Sequence, residues 1–199
     1  MGARSGIIVL ACVALAGCKF SAPGGEGAGA DAPGADAPGA DARPIEAADC
    51  PADYQPIVGL TSRYRLTGAG HYRQTHDDCK DDLVGKTHLV VLDTPQESDQ
   101  LRSSYNQDWW AGAVQARSQA TPDAGWFQIT GGALAAGLWA TGQPNDISGV
   151  ENNDQNVGLR RSGGLEDEPG TAGRPGLCEC DGLPVAALVE GYIPDTSGD

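Results

Sequence analysis

Positive charge is scarce in this sequence: 13 Lys and Arg stand against 27 Asp and Glu across 199 residues, a formal net charge of −14. So acidic a surface repels phosphates, and the basic residues are scattered without forming a patch, which excludes a nucleic-acid partner. Long apolar runs are missing too. The most apolar stretch, Ile7 to Ala16, has ten residues, about half of what a bilayer-spanning helix needs. Catalytic signatures are absent as well. Ser and His residues lie on unrelated segments, so no Ser-His-Asp arrangement is supported. No phosphate-binding glycine loop occurs, and Gly131-Gly132 reads as a turn. Asp93 with Glu97, and Glu179 with Asp181, form carboxylate pairs that surface charge explains, so no enzyme is expected. What is abundant is Gly and Pro, 29 and 13 residues, against a usual combined share of about 12%. Loops therefore dominate, and a long helical bundle is excluded.

The N-terminus reads as an address. Arg4 precedes the ten-residue apolar run, the pattern of a secretory signal over residues 1–17. The run ends Leu15-Ala16-Gly17-Cys18, which resembles the bacterial lipobox; ordinary cleavage after small residues, with Cys18 incidental, is the alternative. The resemblance implies thioether-linked acyl chains of the palmitate class on Cys18, enough for stable membrane anchoring. Lys19, in place of Asp, then favours the outer membrane within the cell envelope. Of the 31 residues from 19 to 49, twenty are Ala, Gly or Pro, and Pro-Gly-Ala-Asp-Ala recurs from Pro33 and Pro38. Without aliphatic surface to repay ordering entropy, residues 18–49 are expected to be a disordered tether reaching roughly 30 Å.

From residue 50 the chain reads as one domain to residue 199. With Cys12 in the signal and Cys18 acylated, Cys50, Cys79, Cys178 and Cys180 remain, an even set that favours disulfides in an exported domain. Three pairings are possible. A zinc site using His71, His76 or His88 competes, but the spacings match no common pattern, and these histidines read as surface or capping residues. Arg63–Thr67 alternates as a strand. Thr75 caps a short helix through Val84, and Gly85 ends it before a strand at His88–Leu92. Thr94, Pro95 and Glu97 make a capping box for a helix to about Tyr105. Strands follow at Trp110–Val114 and Trp126–Ile129, with Trp109, Trp110 and Trp126 in the core. From Thr141 to Gly176 the chain turns polar, a loop of about 35 residues of the kind that is functional or disordered.

This order of parts resembles the C-type lectin-like domain. The residues that carry the resemblance are Trp110-Ala111-Gly112-Ala113, Trp126, Gly131-Gly132, Trp139, Gly142-Gln143-Pro144-Asn145 and Leu177-Cys178-Glu179. The implied fold class is α+β, with two helices, small antiparallel sheets and a long calcium-binding-type loop. The resemblance implies a Cys79–Cys178 bridge, leaving Cys50 and Cys180 to form an extra one. The family's second disulfide is missing as a pair, with Asn153 and Gly170 where its cysteines would fall.

The resemblance also implies a calcium site. Calcium takes about six to eight oxygen ligands. The matching positions are Gln143 and Asn145, flanking a Pro144 expected in the cis form, then Glu151, Glu166 and Asp167. Three carboxylates against one divalent cation leave about −1. In the family the same side chains bind sugar hydroxyls, because an amide donates as well as accepts. Here Glu166 stands where Asn is usual, and Gln143-Pro144-Asn145 is a hybrid triplet, so the hexose class is not legible. Trp139 reads as core or as a stacking surface for a sugar face.

The function implied is a calcium-dependent carbohydrate-binding lipoprotein at the cell surface, with about millimolar monosaccharide affinity. The rival is a calcium-independent protein-binding or adhesion module on the same fold.

Overall fold

In the computed structural model, eleven elements follow one another over the described residues, which are 49–117, 119–146 and 157–195. The signal segment, Cys18, the tether up to residue 48, Glu151 and Asn153 lie outside them. The strands are β1 (Gln55–Pro56), β2 (Arg63–Gly70), β3 (Thr87–Leu89), β4 (Trp109–Gln115), β5 (Trp126–Gln128), β6 (Val157–Arg161), β7 (Gly164–Glu168) and β8 (Arg174–Cys180). The helices are α1 (Tyr72–Asp82), α2 (Pro95–Tyr105) and α3 (Ala187–Glu190). The sheet runs β1-β2-β8-β4-β6-β7, with β3 added to β8 and β5 to β4. Every pairing is antiparallel except β4 with β8, where Trp110 meets Gly176 in parallel. The class is α+β, and the short α3 and this parallel contact add to the expected plan.

Local chemistry explains α2 as predicted. The Glu97 amide donates to Thr94 Oγ1 at 3.1 Å, Pro95 opens the helix, and the Asp93 amide donates to the Glu97 carboxylate at 2.9 Å. For α1 the expected cap is wrong. The helix begins at Tyr72, and the Thr75 hydroxyl donates back to the Tyr72 carbonyl at 3.0 Å instead of capping. Tertiary burial decides this start: Tyr72, Thr75, His76 and Cys79 form the inward face, and packing overrides a local capping preference.

Two further expectations are corrected. The strand read over 88–92 spans only Thr87–Leu89. Val90 to Leu92 stay buried but spend their amides elsewhere, Val90 on the Leu177 carbonyl and Val91 on the Glu179 carboxylate. The polar stretch 141–176 is not structureless either. It contains the β6–β7 hairpin and the start of β8, because Val157, Leu159 and Leu165 are fully buried between polar neighbours.

The core has two parts, one on each side of β4. Trp110 sits with Tyr72, Ile129, Val157 and Leu159 on the α1 side, while Trp109 sits with Leu92, Leu101, Leu165 and Leu177 on the α2 side. Both indoles are fully buried, and Trp126 is 8% exposed. Gly112 between them must be glycine: a Cβ there would lie 2.5 Å from the Leu89 carbonyl and 2.8 Å from Ile129.

Two disulfides hold the ends of the domain, Cys50–Cys180 and Cys79–Cys178. Gly170, where the resemblance would place a cysteine, has φ +80 and no room: a Cβ would meet Tyr72, Val157 and Pro194 at 3.1–3.3 Å. Its carbonyl accepts from the Tyr72 amide at 2.8 Å.

Beyond β8, the C-terminal segment folds back on α1. Val189 and Ile193 enter the core, each 2% exposed. One carboxylate fastens the segment: Glu190 meets Arg73 Nη1 at 3.1 Å, Lys80 Nζ at 3.1 Å and His76 Nε2 at 3.0 Å. Burial holds His76 below its ordinary 6.5, with Glu190 opposing only in part. Glu190 itself is pushed up by burial, but His76 and Lys80 outweigh that and hold it below 4.5. Both shifts act in the same direction. The unfolded chain binds protons here more readily, so stability falls as pH drops through about 6.5 and falls further below about 4.5. Thermal unfolding followed from pH 7 to pH 4 should show this decline, and Glu190→Gln should remove its lower step.

Candidate functional site

The predicted ligands gather around the start of β7. Leu165 anchors this place: its amide donates to the Leu138 carbonyl at 2.8 Å, and its own carbonyl accepts from Ala140 at 2.9 Å. Residues 138–140 thereby run beside β7. Trp139 bridges to Leu165 and sits edge-on to Trp126, with ring centroids 4.6 Å apart, which gives it a packing role. The chain then turns, with the Gln143 amide donating to Ala140 at 3.0 Å, and lays residues 143–146 next to Asp167.

Asp167 is the centre of what forms. It is 4% exposed, and its Oδ1 accepts from the Asn145 amide at 3.0 Å while Oδ2 accepts from the Asp146 amide at 2.7 Å. A carboxylate has about four lone-pair sites, so two remain. The Gln143–Pro144 peptide is cis, as the sequence predicts. The Gln143 side-chain oxygen is buried with no hydrogen-bond donor. A buried acceptor left without a partner is costly, about 1–3 kcal/mol, and a cation is one partner that would satisfy it. Asn145 is exposed beside it, and Glu151 lies outside the described residues.

Glu166 behaves differently. Successive side chains on a strand point to opposite faces, so Glu166 and Glu168 share the face away from Asp167. Both hold Arg161: its Nε lies 2.9 Å from Glu166 and its Nη2 2.6 Å from Glu168. Burial disfavours the Arg161 charge, but Glu168 and Glu166 outweigh it and raise the guanidinium above its ordinary range. The structure thus brings Gln143, Asn145 and Asp167 into one corner and gives Glu166 a cation of the chain's own. Arg161 is the residue the sequence reading missed. The hairpin register that places Leu159 opposite Glu166 was the signal for it, hidden by the small, polar run Arg161-Ser162-Gly163-Gly164. The donor set fits calcium at Gln143, Asn145 and Asp167, all of them hard oxygen ligands.

The histidines correct another expectation. His76 and His88 are fully buried rather than on the surface, and Glu179, read as surface charge, is 4% exposed. His71 alone is exposed, its Nδ1 against the Thr171 carbonyl.

No protein-family model matches the chain, and no curated protein matches it by sequence. Solved structures do match. The human scavenger receptor C-type lectin carbohydrate-recognition domain superposes with a TM-score of 0.54 at 17% identity, over 66% of this chain and 98% of that one. The C-type lectin CEL-I from Cucumaria echinata gives 0.52 at 19% identity, over 66% and 96%. The cow C-type carbohydrate-recognition domain of CD23, solved in the presence of a GlcNAc2Man3 oligosaccharide, gives 0.52 at 20%, over 66% and 95%. The chain therefore has the C-type lectin fold. Among the described residues no helix is long and apolar enough to cross a membrane.

Proposed function

We propose that this domain is a calcium-dependent carbohydrate-binding module, displayed at the cell envelope by lipid on Cys18. The observation that carries the reading is the corner at Asp167, where a buried carboxylate with lone pairs to spare accepts from the Asn145 and Asp146 amides, just along the chain from Gln143 with its buried, donorless side-chain oxygen. Gln143, Asn145, Glu151 and Asp167 would hold the ion, while Glu166, on the opposite face of β7, stays paired with Arg161. Bound there, calcium supplies coordination positions for two vicinal sugar hydroxyls. The chain's amides at Gln143 and Asn145 can donate to the same hydroxyls. The solved structures of this fold that carry glycans, including the CD23 domain above and a murine dendritic cell inhibitory receptor 2 domain in complex with N-glycan, support the substrate class. Lipid-anchored copies crowded on one surface would raise avidity without new contacts.

The deciding experiment is a calcium titration read by thermal shift, followed by a glycan array with calcium and then with chelator. A calcium-induced rise in unfolding temperature and chelator-sensitive glycan binding are expected. Asn145→Ala and Glu151→Ala should each weaken both. Retention of a ligand by the chelated protein and by these variants would instead establish the calcium-independent protein-binding module.

A further inference from the structure

We propose that His88, Glu179 and Asp181 form a second metal site, which takes a zinc-class divalent cation and is separate from the corner at Asp167. Strand alternation builds it. In Cys178-Glu179-Cys180 the two cysteines point one way, into their disulfides with Cys79 and Cys50. Glu179 points the other way, directly opposite His88 in the register of β3 with β8. Asp181 follows at the end of the strand. One ligand atom from each of His88, Glu179 and Asp181 lies within 4.8 Å of the other two. The two bridges fix the strand on both sides of Glu179, so the ligands stand on a covalently braced element.

The imidazole is set for a cation. His88 is fully buried, and its Nδ1 lies 2.8 Å from the Leu89 carbonyl. A carbonyl only accepts, so Nδ1 carries the hydrogen. Nε2 then faces Asp181 Oδ1 at 3.0 Å. A lone pair aimed at a carboxylate is repulsive unless a positive charge stands between them, and the candidates are a proton or a metal ion. A histidine held through Nδ1 by a backbone carbonyl is the usual arrangement of a metal-binding imidazole. The carboxylates are oriented in the same manner, Glu179 by the Val91 amide at 2.9 Å and Asp181 by the Leu183 amide at 2.8 Å.

Charge favours the metal. Among the described residues, neither Glu179 nor Asp181 forms a salt bridge with a lysine or arginine; Asp181 pairs only with the His88 imidazole. Glu179 is 4% exposed, so the cluster holds its negative charge away from water at a cost. A neutral imidazole, two carboxylates and one divalent cation sum to zero. Imidazole nitrogen selects zinc-class ions over calcium or magnesium. The 3.0 Å between Nε2 and Oδ1 is close to the separation of about 3.3 Å between two tetrahedral ligands each about 2.0 Å from zinc. The other trio of this kind, His76, Asp77 and Glu190, differs on this point: Lys80 and Arg73 already neutralise Glu190.

The test uses the domain stripped with chelator, dialysed, and held in excess calcium so that the loop oxygens are saturated. Zinc is titrated by calorimetry and cobalt by visible absorption. One zinc per chain and a tetrahedral cobalt spectrum are expected. Asp181→Asn and His88→Gln should weaken binding about tenfold or more, the scale seen when the support of a metal site is disturbed. Asn145→Ala should leave it unchanged. His88 is buried and its variant could fail to fold; Asp181 is partly exposed, so Asp181→Asn, checked by circular dichroism, carries the decision. No binding by the folded wild type, or wild-type binding by Asp181→Asn, overturns the proposal. Because calcium stays saturating, this result is independent of whether the loop binds sugar.

Discussion

Replacing Asp167 with Ala should abolish the calcium-induced thermal shift and glycan binding together, and should also weaken the protein without metal. Two backbone amides, those of Asn145 and Asp146, lose a charged acceptor. Hydrogen bonds to a charged group contribute about 1.5–3 kcal/mol each, so a loss of about 3 kcal/mol is expected. Asn at this position does not repair it, because its amide nitrogen would face one of the two donors. Glu166→Gln should behave in the opposite manner. It leaves the amides of residues 145 and 146 satisfied and removes only one of two carboxylates on Arg161, so its effect on stability should be small. Urea unfolding with and without calcium separates the two variants. Equal behaviour would show that Asp167 is not the centre of the corner.

Removing the Cys79–Cys178 bridge by a double Ala substitution should have the largest effect on stability. The bridge spans 99 residues, for which chain entropy alone gives about 4.7 kcal/mol, and measured losses for native bridges run about 2–5 kcal/mol. Both sulfurs are fully buried against Tyr72 and Trp110, so lost packing adds to lost constraint. Cys50 is only half-buried, and the Cys50–Cys180 double variant should therefore lose less. Denaturant midpoints of the two double variants, measured without reductant, test the order. An outer bridge that matters more than the inner one would contradict it.

Much of this was legible in the sequence because it was local or carried by a strong motif. The α2 cap is spelled out by Thr94, Pro95 and Glu97, and the paired tryptophans of β4 announce a strand buried on both faces. The four cysteines and the Gln143-Pro144-Asn145 triplet pointed to the fold. The misreadings share a cause: each depended on a distant partner. Thr75 looks like a cap until Tyr72 is seen to be buried one turn earlier. His76 looks exposed until Glu190, more than a hundred residues away, closes over it. Glu179 looks like surface charge because nothing nearby in sequence reveals that His88 and Tyr64 flank it across the sheet. Arg161 escaped notice because its meaning comes from hairpin register rather than from residue type.

The Cys50–Cys180 bridge also determines how the domain would bear a pull. Tension arriving along the chain before Cys50 passes through sulfur into the end of β8, bypassing the two-residue β1 that would otherwise be peeled from β2 first. β8 is hydrogen-bonded to β2, β3 and β4, so the force is shared among three neighbours. A domain pulled from its N-terminal side is thereby protected from unzipping at its weakest edge.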